Sequence, residues 1–146
     1  TENFWLTLEP YWANVFALRT FMETVTDREV FYVTSRLQTA GYTVMQQTNI
    51  WLSKYALTDA GTACISSPNP VMKRDIYKIL EIVSSIDDKL ETVLDCSNLD
   101  GHRAYLLDRP WNRQGRPENG LVVVSSVKEY LEREQKARRL ESSLPS

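Results

Sequence analysis

Apolar stretches with helical spacing alternate along the chain with short breaks rich in Gly, Pro, Ser and Asn. In residues 4–25, Tyr11, Val15, Leu18, Met22 and Val25 recur at that spacing, with Trp12, Phe16 and Phe21 alongside. The pattern predicts a helix over 4–25, with Pro10 at a first-turn position and a wide apolar stripe buried over much of its circumference. Thr26-Asp27-Arg28-Glu29 has the form of a capping box. It predicts a second helix over about 27–40, with Val30, Phe31, Thr34 and Leu37 facing inward and Gly41 as its C′ residue. Val44, Gln46, Ile50 and Leu52 suit extended chain, and Thr48-Asn49 suits a turn, so a two-stranded ribbon is expected at 42–47 and 50–57. Ala60-Gly61 and Ser66-Ser67-Pro68-Asn69-Pro70 mark a connection.

The clearest periodic signal lies between residues 71 and 95. Met72, Ile76, Ile79, Val83, Ile86, Leu90 and Val93 step by 4, 3, 4, 3, 4, 3. This is a heptad seam and predicts one helix of about 24 residues, roughly 36 Å long. Two uses of it stay open. Leu80, Ile82 and Leu94 widen the stripe toward a globular core, while the seam itself suits self-association. Further on, 102–107 and Leu121-Val122-Val123-Val124 read as strands, joined by a polar loop over 108–120. Ser126-Val127-Lys128-Glu129 is a second capping box and opens a helix through about Leu140. That helix is apolar at Val127, Tyr130 and Leu131 and then almost wholly charged, so its second half is expected to project into solvent or lead toward further sequence. The expected architecture is a helix-dominated α+β domain: N-terminal helices with a small β-ribbon, a long central helix, and a C-terminal strand and helix. It spans 1–141 as one compact domain. Residues 142–146 are read as a flexible tail, and Thr1 at the first position as the mark of a fragment of a longer protein.

With 146 residues, 42% apolar and 25% charged, the chain has a globular composition and no membrane-spanning apolar run. Charge is uneven. Residues 1–100 carry 8 basic and 13 acidic side chains, net -5, and residues 101–146 carry 9 and 6, net +3. Contact with a polyanion is therefore expected in the last third. Cys64 and Cys96 have no metal-knuckle or disulfide-framework spacing, which points to buried thiols in an intracellular compartment, cytoplasmic or nuclear.

Candidate chemistry is sparse. Asp87, Asp88, Glu91 and Asp95 share the expected central helix and read as its solvated face rather than as a metal site. Cys96 and His102 lie six residues apart, with Asp100 or Asp108 as the third group a thiol nucleophile needs. No GxSxG, P-loop or GxGxxG motif occurs. The expectation is a protein that is not an enzyme and has no cofactor or metal. The loop 108–120 is the candidate surface: Arg109, Arg113 and Arg116 surround Trp111, a combination common to interface hot spots and single-strand nucleic-acid contacts. Arg133, Arg138 and Arg139 on the last helix add to it.

Leu37-Gln38-Thr39-Ala40-Gly41-Tyr42, followed by a ribbon that closes with Tyr55-Ala56-Leu57-Thr58-Asp59-Ala60-Gly61, resembles the winged-helix family over roughly residues 8–61. The resemblance implies a recognition helix at about 27–40 and a wing tip at Gln46 to Asn49. That helix offers Arg28 and Arg36 beside Asp27 and Glu29, which suits winged helices that serve as protein–protein modules better than those that read DNA. The functional expectation is a non-catalytic module that assembles into a larger complex, its partner a protein or a second copy. The alternative is nucleic-acid binding.

Overall fold

A computed structural model of the chain describes residues 1–145. The fold is helix-dominated α+β, as predicted, with five α-helices and two small parallel sheets among the described residues. Contacts divide the chain into two compact units, Thr1–Lys73 and a second beginning at Arg74.

The first unit opens on a 3-10 turn at Phe4–Thr7 and then α1 (Trp12–Thr24). The single helix expected at 4–25 is split because Pro10 lacks an N–H and pushes Glu9 toward extended chain. The stripe is also less buried than expected: Val15 and Met22 are covered, but Tyr11, Trp12 and Phe16 are each more than half exposed. Where the second helix was expected stands β1 (Val30–Thr34). Val-Phe-Tyr-Val favours the pleated surface, and Arg28 is drawn away from a cap to pair with Asp59. Where the ribbon was expected stands α2 (Val44–Lys54). Its Thr43 hydroxyl accepts from Gln46 N at 3.1 Å while Gln46 Oε1 accepts from Thr43 N at 2.9 Å, a complete capping box. Gly41 is not a helix C′ residue; it stands at φ 95° before α2, where a Cβ would collide with the Asn3 amide. With β1 a strand and α2 a helix, the unit has neither recognition helix nor wing, and the winged-helix expectation is overturned.

β2 (Thr62–Ser66) runs parallel to β1, with Val30 opposite Thr62 and Thr34 opposite Ser66. A parallel pair needs a long crossover, and α2 supplies it. Val15, Leu52 and Leu57 form the buried centre, with Leu18, Tyr32, Trp51, Tyr55 and Cys64 packed against them.

The second unit contains a three-stranded parallel sheet in the order β3-β4-β5. The span predicted as one rod is instead α3 (Lys73–Ile79), β3 (Ser84–Asp87) and α4 (Leu90–Cys96). Glu81, at φ 54°, ends the first helix in a left-handed turn that a continuous helix does not allow. The seam residues therefore do not share a flank. Val93 is 2% exposed whereas Ile79 is 78% exposed. β4 (Arg103–Leu107), β5 (Val122–Val124) and α5 (Val127–Ser142) stand close to their predicted positions. β4 lies between its neighbours, so Leu106 is fully buried, as is Val124 of β5. Ser126 caps α5 by accepting from Glu129 N, and Glu129 reaches back to Ser125 N.

Two expectations about the C-terminus change. The second half of α5 does not simply project into solvent, because Arg103 of β4 holds Glu134 at 2.8 Å and Glu141 at 2.8 Å. Ser142 belongs to the helix rather than the tail, its hydroxyl donating to Arg138 O; Ser146 lies outside the described residues.

Candidate functional site

In open parallel sheets, ligands bind beyond the carboxyl ends of the strands. Those ends carry Thr34-Ser35-Arg36 after β1, Asp87-Asp88 after β3 and Asp108-Arg109 after β4.

The loop from Asp108 to Leu121 is the crossover that makes β4 and β5 parallel, which accounts for its length. It is fixed from within. Asn112 is 3% exposed, and its amide donates to Asp88 O and to Leu107 O, both at 2.8 Å. Its Oδ1 accepts from Arg109 N at 3.1 Å and from the Arg116 guanidinium at 2.7 Å. Asp108 receives Arg113 at 3.0 Å and Arg116 at 2.6 Å. Hydrogen bonds from Arg113, then Arg116, hold its carboxyl down at about 2. Arg113 is pushed above its ordinary value by the same bond. Arg109 donates to Asp108 O.

The site residues read from the sequence thus divide. Arg113 and Arg116 converge on Asp108 and serve the loop's own fold. Trp111 stays 65% exposed on the 3-10 turn at Pro110–Asn112. Arg133, Arg138 and Arg139 lie on α5, which packs on β3 and β5. Arg133 faces Glu129 one turn back at 3.5 Å, and Arg139 donates to Gln135 O. The carboxylates thought to share a helix face are split between the end of β3 and α4. Among the described residues no three His, Cys, Asp or Glu side chains gather as a metal site. The His102 ring contacts Ile82 O at 2.6 Å and Ser85 Oγ at 2.8 Å, so both nitrogens are engaged. Cys96 is 1% exposed.

The carboxyl end of β1 was missed as a site. Arg36 is half-buried, with Trp5 4.9 Å beneath its guanidinium and Thr48 Oγ1 at 3.5 Å. Among the described residues no carboxylate lies within ion-pair distance of it. Burial pushes its pKa down, against a smaller opposing effect of Cys64. The neighbouring Ser35 hydroxyl is buried with no hydrogen-bond partner. A polar Thr-Ser-Arg directly after a β-branched and aromatic run was the signal available in the sequence.

Comparison with family models, curated proteins and solved structures finds no match to this chain. No helix among the described residues is long and apolar enough to cross a membrane.

Proposed function

We propose that the chain is a binding protein whose principal site lies at the carboxyl end of β1 and takes an oxyanion, of the phosphate type, carried by a small molecule. The carrying observation is Arg36: a half-buried guanidinium with a hydroxyl and an aromatic ring around it but no acid. Buried charges are paired in folded proteins, and a guanidinium pairs best with a bidentate oxyanion. The orphaned Ser35 hydroxyl at the same strand end adds a polar group short of a partner. Titration of the full chain with inorganic phosphate, followed by calorimetry, tests this. Binding that Arg36→Met abolishes is expected. Saturation unchanged by that variant sinks the assignment.

A second reading is favoured by one observation, the exposed Trp111 on a loop braced by Asn112 and Asp108. A rigid exposed aromatic loses little entropy on association, which suits a non-catalytic assembly module that contacts a protein partner or a second copy. Nucleic acid remains the alternative partner for this surface. It has less support, since Arg113 and Arg116 both turn their guanidinium groups to Asp108. Sedimentation of wild type and Trp111→Ala, with and without single-stranded DNA at about 50 mM salt, separates the outcomes. A wild-type sedimentation coefficient identical to that of the variant in every condition removes self-association and nucleic-acid binding through Trp111.

A further inference from the structure

We infer that Trp5 and Thr48 are positioning residues for Arg36: between them they leave the Nε–Nη2 edge of its guanidinium free as a two-pronged donor for the oxyanion. The inference deepens the reading of Arg36 as an oxyanion site and rests on it.

A guanidinium is planar, with its five N–H groups in the plane and none on its faces. A contact on a face therefore does not compete with a ligand at an edge. Trp5 takes a face, with the guanidinium carbon 4.9 Å from the ring centre. Thr48 takes one edge position, where Nη1 donates to its Oγ1 at 3.5 Å. The Thr48 hydroxyl spends its own proton on Val44 O at 2.7 Å, so toward Arg36 it can only accept. Among the described residues Nε and Nη2 have no hydrogen-bond partner, and neither is sealed from solvent. An Nε–H and an Nη–H side by side match two oxygens of one oxyanion.

Both positioning groups are themselves fixed. Trp5 N donates to Oε1 of the fully buried Gln47 at 2.9 Å, and the indole Nε1 donates to Leu37 O at 2.9 Å. Gln47 Nε2 donates in turn to Thr39 Oγ1 at 3.1 Å and to Tyr42 O at 2.7 Å. One buried amide thus ties the N-terminal segment to the chain just after Arg36. Thr48, the next residue on α2, is 6% exposed. A free arginine side chain samples many rotamers, and one already held loses less freedom when it binds.

The test titrates the full chain with inorganic phosphate, read by calorimetry. Trp5→Leu removes the ring face, and Thr48→Val removes the acceptor while keeping the branched shape. Each is expected to weaken phosphate binding about three- to tenfold. Trp5→Phe and Thr48→Ser, which return a ring face and a hydroxyl, are expected to bind within about twofold of wild type. Arg36→Lys keeps the charge but has no fork, and a loss of at least about tenfold is expected. In the wild type the Arg36 Nε–H resonance is expected to move as phosphate is added. Should Trp5→Leu fail to fold, Thr48→Val carries the test. Phosphate binding equal to wild type in the folded Leu and Val variants overturns the positioning role and leaves the oxyanion site standing. Binding by Arg36→Lys as tight as wild type, or an Nε–H resonance unmoved at saturation, overturns the edge assignment. No phosphate binding to the wild type overturns this inference and the Arg36 reading together.

Discussion

The carboxyl ends of β1 and β4 solve opposite problems with the same residue type. After β4, arginines are spent locally: Asp108 gathers Arg113 and Arg116, and Asn112 ties the loop to Asp88 and Leu107. After β1, Arg36 has only Thr48 and the Trp5 ring. An arginine's charge in a sequence therefore says little about binding until its acid is located. The same residue type yields a brace in one place and an unmet demand for an anion in the other.

That contrast can be broken most sharply at Asn112. Asn112→Ala removes the buried amide's hydrogen bonds to Asp88 O, Leu107 O, Arg109 N and the Arg116 guanidinium, and a loss of about 2–4 kcal/mol is expected in denaturant unfolding. A change within error would show that the loop is held by something else. Arg116→Met, which removes three hydrogen bonds from a mostly covered side chain, should cost about 1–2 kcal/mol by the same measurement. Arg36→Met is the matched comparison and should be within about 0.5 kcal/mol of wild type, or slightly stabilising, because it relieves an unpaired desolvated charge. If the two arginine variants lose equal stability, the distinction between brace and binding group fails.

Acid should act on the β4 loop and spare the chain around Arg36. Asp108 is held at about 2 against an ordinary 3.8. Its folded pKa lies below the unfolded one, so its contribution is complete above about pH 4 and is lost as pH falls through about 2. Amide exchange in residues 108–116 should quicken over that window, while the uncharged hydrogen bonds at Asn3 and Trp5 do not change. The loop effect should be absent in Asp108→Asn. The smallest effect is expected from Trp111→Ala, within about 0.5 kcal/mol in stability because the ring is largely exposed.

Much of the second half was legible in the sequence because its signals are local. Ser126 and Glu129 cap α5, and Val122–Val124, bounded by Gly120 and Ser125, forms β5. The first half misled because two local signals competed. Thr26 to Glu29 and Thr43 to Gln46 both have the capping-box form, and only the second is used. Arg28 finds Asp59, thirty-one residues away, and the run after it pairs with β2. Of the candidate site, Trp111 and its arginines could be found from composition. The inward turn of Arg116 and the unpaired state of Arg36 could not, since both depend on which acids lie nearby in space.

By itself the sequence determined the balance of helix to strand, the ends that carry strong caps, and the polar crossover before β5. Only the tertiary structure decided that Met72 to Val93 is helix, strand and helix. A spacing of three and four residues marks apolar positions without saying whether they lie along one rod. Parallel strands are chosen by distant partners: Ser84–Asp87 is a strand because Arg103–Leu107 lies beside it. The same long-range pairing sets which arginines meet an acid and which are left to seek one.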